Sequence, residues 1–297
     1  MAKVLLKIEG IQVNQVDRFG ETPLFDAAIN GHDKIVSLLL AKEEIQVNQG
    51  GTMGTPLDWA TYCGYHKVVK LLLSREEIQV NEANERGETT LIVAVKRGNK
   101  EVVDLLLERE DIQVNKVDQK GWTALNYAAL EGLHEIVGSL LKNQEIQVNL
   151  ANEHDETPLI WAVRREYEKV VELLLRNEDI QVNKADEHGK TPLSEAAYRG
   201  QEKTVEMLLE RGDILVNQVE HTGATPLFIA AEEGHEKVVK ILLKKHGVEV
   251  NRADNAGVTP ISVAAANRHG NVVNLLLGTD EIMAVGWDGW RPNATPA

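Results

Sequence analysis

The sequence has a single cysteine, Cys63, so no disulfide can form within the chain. A chain without disulfides is typical of a reducing compartment, which predicts a cytoplasmic or otherwise intracellular protein. Aromatic residues make up only 4% of the 297 residues, so leucines and small side chains must supply most of the core. No apolar run approaches the ~18 residues that a membrane-spanning helix needs, and no signal peptide opens the chain.

Positive charge is also scarce. The chain has 32 lysines and arginines against 46 aspartates and glutamates, which gives a formal net charge of −14. Nucleic-acid binding needs a basic surface, and an anionic lipid surface attracts basic proteins in the same way. The composition therefore argues against nucleic acid and membrane as partners.

Two sequence markers recur in phase along the whole chain. The first is the triplet Thr-Pro-Leu or a variant of it, which recurs every 33 or 34 residues and begins at Thr22, Thr55, Thr89, Thr123, Thr157, Thr191, Thr225 and Thr259. The second is a Val-Asn pair with the same spacing, which ends at Asn14, Asn48, Asn81, Asn115, Asn149, Asn183, Asn217 and Asn251. Self-similarity at this period indicates stacked structural repeats rather than one globular core.

The seventh unit illustrates how each repeat is expected to fold. Thr225 is a typical N-cap residue, and Pro226 occupies the first helical position, where its missing N–H costs nothing. Gly234 is placed to end this first helix, and the apolar spacing from His235 to Leu243 predicts a second helix. An extended stretch through Val250 leads to the next turn. Each unit thus reads as helix, turn, helix and a hairpin-like loop.

The sixth unit carries the markers most completely. They follow one another as Asp186-x-x-Gly189-x-Thr191-Pro192-Leu193-x-x-Ala196-Ala197-x-x-Gly200, before a Val/Leu helix and Val216-Asn217. This order resembles the ankyrin repeat, and the resemblance covers about residues 4–285. It implies an all-α ankyrin-repeat solenoid that binds protein partners on its concave face. The Ile-Gln-Val-Asn segment further resembles fungal-type ankyrin arrays, in which such repeats often follow an immune-receptor-like nucleotide-binding domain.

The ends of the chain depart from the repeat. Residues 1–14 align with the second half of a unit, so we expect a partial leading repeat, either cut from a longer array or serving as an N-terminal cap. Residues 15–285 form eight repeats of 33–34 residues. In the tail, 286–297, Trp287 and Trp290 are expected to cover the last repeat, because the open end of a repeat array exposes its core.

No catalytic or cofactor motif withstands inspection. Gly189-Lys190-Thr191 imitates the end of a phosphate-binding loop, but the earlier glycine of that motif is absent. Four histidines are expected to follow the helix-ending glycines in phase and are interpreted as structural, because the ankyrin resemblance implies that a histidine there braces the turn; they are His32, His66, His134 and His235. We therefore expect no enzyme activity, no cofactor and no metal.

The candidate binding site comes from the positions that vary between repeats. In ankyrin proteins the residues at the end of the first helix and at the turn face the partner, and here they are rich in arginine, lysine and aromatic residues. Such a composition is typical of interface hot spots. The predicted site residues are Trp59, Tyr62, Lys96, Arg97, Trp122, Tyr127, Trp161, Arg164, Arg165, Tyr198 and Arg199. Their chemistry predicts an acidic or aromatic-bearing segment of a partner protein.

Simpler interpretations stand beside this one. Trp59, Tyr127 and Trp161 would also fill space between neighbouring helices, and the arginines would also balance the charge of the acidic outer surface. We expect the protein to be a monomer. A structural scaffold or spacer without a specific site is an alternative function. An enzyme or small-molecule binder is another, but it needs convergent titratable groups in a pocket.

Overall fold

The computed structural model describes residues 11–51 and 54–279. These residues form sixteen α-helices in eight pairs, and within them no helix is long and apolar enough to cross a bilayer. Contacts divide the chain into two compact units, Met1–Trp161 (unit 1) and Ala162–Ala297 (unit 2). Most of the predicted leading repeat and the tail with Trp287 and Trp290 lie outside the described residues.

The helices alternate between a seven-residue first helix and a seven- or eight-residue second helix in each repeat. Unit 1 contains α1 (Pro23–Ile29), α2 (Asp33–Leu40), α3 (Pro56–Tyr62), α4 (His66–Leu73), α5 (Thr90–Lys96), α6 (Lys100–Leu107), α7 (Ala124–Leu130) and α8 (His134–Leu140). The division between the units falls within α9 (Pro158–Arg164). Unit 2 continues with α10 (Glu168–Leu175), α11 (Pro192–Tyr198), α12 (Glu202–Leu209), α13 (Pro226–Glu232), α14 (Glu236–Leu243), α15 (Pro260–Ala266) and α16 (Gly270–Leu277).

The recurring threonine starts every first helix, as predicted. In the first repeat the Thr22 hydroxyl accepts a hydrogen bond from the backbone N–H of Phe25 at 3.2 Å, and the same contact recurs in all eight repeats. Such a cap is worth about 1 kcal/mol. Where Thr90 replaces the usual proline, its hydroxyl donates to Asp58 of the preceding first helix at 3.0 Å, so this departure from the pattern adds a bond between repeats.

Small and branched apolar residues fill the interior of each unit. Leu57, Leu91 and Leu125 occupy equivalent positions on α3, α5 and α7, and each is only 1% exposed. Within each unit, first helices pack on the first helices of neighbouring repeats, and second helices pack on second helices. A helix pair alone would leave its apolar face in water, so burial by the next repeat provides most of the stability.

The Val-Asn marker holds neighbouring repeats together. In unit 1, Asn81 donates to the Asp111 carbonyl at 2.7 Å and accepts from the Gln113 backbone N–H at 2.8 Å. In unit 2, Asn183 makes the same two contacts, with Asp213 at 2.7 Å and Leu215 at 2.8 Å. The glutamine of the Ile-Gln-Val-Asn segment contributes its backbone N–H to this contact, so leucine serves equally well at Leu215.

The histidine prediction was wrong in its register. His32 and His235 precede a second helix as N-cap residues, whereas His66 and His134 are the first residues within one. The bracing contact is made at the N-cap position by different side chains, each bonded to a carbonyl of the preceding repeat: Asn99 to Thr61, Gln201 to Val163, His235 to Tyr198 and His269 to Glu232. Any side chain with a suitably placed N–H can perform this function.

Candidate functional site

Three predicted site residues of unit 1 come together at the C-terminal ends of α3 and α5. The Arg97 guanidinium lies 3.4 Å from the centroid of the Tyr62 ring, and Tyr62 is 5.3 Å from Trp59 between ring centroids. Tyr62 is 48% exposed. Among the described residues, Arg97 makes no ion pair. We call Trp59, Tyr62 and Arg97 the aromatic–arginine corner.

The corner forms one end of a groove with a volume of about 860 Å³. Side chains of the turn before α5 line its other end, and they include Glu82 and Glu85. This volume lies within the range of about 300–1,000 Å³ that is usual for ligand clefts. The groove therefore has room for several side chains of a bound partner.

Lys96 does not face a partner freely. It forms an ion pair with Glu88, which is nearly buried, and its ammonium group lies 4.6 Å from the centroid of the Tyr127 ring. Burial works against ionisation of Glu88, but hydrogen bonds from Asn84 and Lys96 outweigh it and hold the pKa of Glu88 below its ordinary value. Lys96 thus neutralises a carboxylate within unit 1.

Tyr127 is tied to a neighbouring turn. Its hydroxyl donates to Asp118 at 2.7 Å, and the other carboxylate oxygen of Asp118 accepts from the backbone of Lys120 and Trp122 at 2.9 Å each. Burial and this hydrogen bond raise the pKa of Tyr127 well above its ordinary value. The phenol therefore stays protonated and acts as a fixed donor.

Trp122 links two further aromatic residues of the predicted site. Its ring centroid is 5.0 Å from that of Tyr127 and 5.2 Å from that of Trp161, which are favourable aromatic distances. All three are partly buried. This arrangement fits the space-filling interpretation, although none of the three residues is fully buried.

The arginines of unit 2 surround a buried carboxylate instead. Glu195 has a side chain only 3% exposed, and it accepts from Arg199 at 2.6 Å and lies 3.5 Å from Arg164. Arg164 also lies 3.2 Å from Asp186, whose side chain is 2% exposed. A buried carboxylate is costly unless it is paired. Arg164 and Arg199 therefore neutralise buried carboxylates within unit 2, and not the acidic outer surface that the simpler interpretation named.

The remaining two site residues of unit 2 lie on the surface. Tyr198 is 46% exposed, and the Lys190 ammonium group lies 5.4 Å from its ring centroid. Arg165 is exposed as well. That Arg164, Arg165, Tyr198 and Arg199 bind a partner stays a prediction.

The sequence model of a family described as "Ankyrin repeats (3 copies)" matches residues 1–84, 77–152, 146–218 and 213–284. The chain belongs to the ankyrin-repeat family. None of the curated proteins compared with this ankyrin array matches it. Ankyrin repeats are generally protein–protein interaction modules, and the family is typically not enzymatic. Within the residues that the structure describes, no group of three histidine, cysteine or acidic side chains could hold a metal ion.

Four acidic residues that hold predicted site residues in place were missed by sequence reasoning: Glu88 and Asp118 in unit 1, and Asp186 and Glu195 in unit 2. One signal was available, because Glu195 stands four residues before Arg199 on one helix, a spacing that favours an ion pair. Glu195 also occupies the position that Trp59, Tyr127 and Trp161 hold in other repeats. Asp118 and Asp186 lie in turns and contact side chains on helices, Tyr127 and Arg164. Their separation in sequence does not match the helical spacing that reveals an ion pair.

Proposed function

We propose that this ankyrin array binds a segment of another protein through the aromatic–arginine corner and the groove beside it. The observation that carries the proposal is the Arg97 guanidinium, which is exposed, held against Tyr62 and free of any carboxylate among the described residues. Arginine, tyrosine and tryptophan are the residue types that dominate binding hot spots. In this corner all three are adjacent.

The stacking of Arg97 on Tyr62 also reduces the cost of binding. An arginine side chain loses about 0.5–1.5 kcal/mol of conformational freedom when a partner immobilises it. Here the ring already restricts the guanidinium, whose planar group stacks on aromatic faces and still presents N–H donors at its edge. A carboxylate on the partner would accept two of these donors. This chemistry fits the predicted acidic or aromatic-bearing segment.

A selection from randomised peptides tests the proposal without a known partner. A displayed library of random twelve-residue peptides is panned on the immobilised full chain, and selected clones are synthesised and titrated by fluorescence polarisation. Tyr62→Ala and Arg97→Ala should each weaken binding by about 2 kcal/mol, the hot-spot threshold, or about 30-fold in Kd. Circular dichroism checks that both variants fold.

Unit 2 provides the matched control, because Tyr198 and Arg199 occupy the positions equivalent to Tyr62 and Arg97. Tyr198→Ala should leave the affinity of the same peptides within about twofold. If Tyr198→Ala weakens binding and Tyr62→Ala does not, the partner surface lies in unit 2. Failure of the parent chain to enrich any peptide over a blank support would favour a spacer, and saturable uptake of small molecules in the groove would favour the small-molecule alternative.

Several finer expectations accompany this function. Binding on a concave face, a monomeric state and an intracellular location are predictions from the sequence. So is the fungal-type character of the Ile-Gln-Val-Asn segment, since the family match does not distinguish groups of organisms. Light scattering at micromolar concentration tests the monomer directly, and a stable dimer would contradict it.

A further inference from the structure

Charge is distributed unevenly along the groove of unit 1. Arg97 stands at the C-terminal end of α5, whereas Asp58, Glu82 and Glu85 line the groove near the turn that precedes this helix. Arg86 is the only cation at that end that has no carboxylate partner among the described residues. Three carboxylates against one guanidinium leave the turn end acidic, while the corner end is basic.

These charges are not compensated within the groove. Glu82 and Glu85 are exposed and make no ion pair with any described residue. The Asp58 carboxylate accepts from the Thr55 backbone and hydroxyl at 3.0 and 2.9 Å and from Thr90 at 3.0 Å, and these hydrogen bonds leave its charge in place. Glu88 and Lys96 form a pair and contribute no net charge. The groove thus presents opposite signs at its two ends.

We infer that the groove takes an extended protein segment that carries a basic side chain and an acidic side chain about three to four residues apart. The inference rests on the proposed binding function and defines its ligand. The spacing follows from geometry, because the seven residues of α5 rise about 1.5 Å each, or about 10 Å in total. An extended chain covers about 3.3 Å per residue, so about three residues span the helix. The acidic residue would meet Arg97, and the basic one would meet Glu82 and Glu85.

An apolar or aromatic residue between the two charges would lie over Trp59 and Tyr62. The aromatic faces give most of the affinity, since exposed ion pairs contribute only about 0–1 kcal/mol each. The two charges instead fix the direction of the segment, because a reversed segment would place like charges together at both ends. The groove therefore selects both the residue types of the bound segment and its chain direction.

Charge exchange in selected peptides tests this inference on the full chain. Peptides enriched by the parent should contain Asp or Glu three to four residues from Lys or Arg, always in one order. Glu82→Lys with Glu85→Lys should weaken a selected peptide about tenfold, and replacing its Lys or Arg by Glu should restore binding to within about threefold. Arg97→Glu should weaken the peptide at least as much as Arg97→Ala does, and replacing the acidic residue of the peptide by Lys should recover about tenfold of that loss. Glu187→Lys, an exposed turn residue of unit 2, is the control and should have no effect.

The outcomes separate the two proposals. Selected peptides that depend on Tyr62 and Arg97 but carry only acidic residues, or carry both charges in random order, would retain the binding function and overturn the two-charge ligand. Peptides that ignore Tyr62 and Arg97 altogether, or no enriched peptides, would overturn both.

Discussion

The surfaces of the two units use the same residue types for different purposes. In unit 1, Arg97 is stacked on exposed Tyr62 and faces no carboxylate among the described residues. In unit 2, the equivalent Arg199 is bonded to the buried Glu195. Arginine and tyrosine at equivalent repeat positions thus give a surface available to a partner in one unit and an internally neutralised one in the other. What surrounds an arginine decides its role more than its position in the repeat.

One position explains the difference. The residue four positions before each arginine on its own helix is Val93 in the third repeat and Glu195 in the sixth. Valine there carries no charge, so Arg97 is left for other contacts. Glutamate there is buried and its charge must be paired, so Glu195 forms ion pairs with Arg164 and Arg199.

The largest expected effect comes from removing that carboxylate. Glu195→Gln leaves Arg164 and Arg199 facing a neutral amide, and loss of charge-assisted hydrogen bonds in a buried site should lower the free energy of unfolding by about 2 kcal/mol. Arg97→Ala in unit 1 should cost about 0.5 kcal/mol, the value of an exposed cation–π contact. Urea denaturation followed by circular dichroism compares the two. An equal loss of unfolding free energy in the two variants would contradict the different roles assigned to Arg97 and Arg199.

The Asn contacts provide a test in which the units should agree. Asn81→Ala and Asn183→Ala each remove two hydrogen bonds between repeats, with closely matched lengths in the two units. At about 1 kcal/mol per bond, each variant should lose about 2 kcal/mol, whereas Gln113→Ala should stay within about 0.5 kcal/mol because its side chain is exposed. A clear inequality between the two Asn variants would mean that the scaffolds differ too, and not only the surfaces.

The next smaller effect on stability comes from two substitutions at positions with positive φ. Introducing glycine at such a position in unit 2 should stabilise the protein, and removing glycine from one in unit 1 should destabilise it. Glu166 adopts φ +61° where most repeats have glycine, so Glu166→Gly in unit 2 should stabilise by about 1 kcal/mol. Gly98 of unit 1 has φ +65°, and a Cβ there would meet only Leu133 at 4.0 Å. Gly98→Ala should therefore destabilise by about 1 kcal/mol through conformation alone. Thermal unfolding should show the two melting temperatures moving apart.

The smallest expected effects depend on pH. The pKa of Glu88 is lowered in folded unit 1, so its contribution to stability is present above about pH 4.5 and is lost as pH falls through the folded value. Burial raises the pKa of Glu220 in unit 2, so stability falls as pH rises through that value. At pH 7, Glu88→Gln should destabilise and Glu220→Gln should stabilise, each by less than about 1 kcal/mol. Both effects should shrink at pH 4, and a change of the same sign in both variants would contradict this.

The sequence predicted the repeat architecture well, because its signals are local. A capping threonine, a proline at the first turn and a glycine after the helix each act within a few residues, and they recur often enough to exclude chance. The helix–helix unit and the all-α class were therefore confirmed. The histidine register was wrong because the bracing contact depends on N–H geometry and not on one residue type, so Asn99 and His235 perform it alike.

The site was predicted less completely, for a physical reason. Composition shows which residues can bind a partner, but not which of them are already occupied. Lys96 and Glu88 form an ion pair although they are eight residues apart in sequence, and Arg164 contacts Asp186, which is twenty-two residues away. Such contacts depend on how a turn folds back over a helix. Only the Glu195–Arg199 pair had a spacing that the sequence could reveal.

The asparagine contacts have a consequence for how such a chain can change. Asn81 and Asn183 bond to main-chain groups of the next repeat and not to any particular side chain. Every junction of this kind is therefore chemically identical, whatever residues surround it. A repeat copied, deleted or exchanged by recombination would meet the same complementary groups on either side. The chain's length and its surface chemistry can thus evolve independently, since the joint between modules is specified by the polypeptide backbone itself.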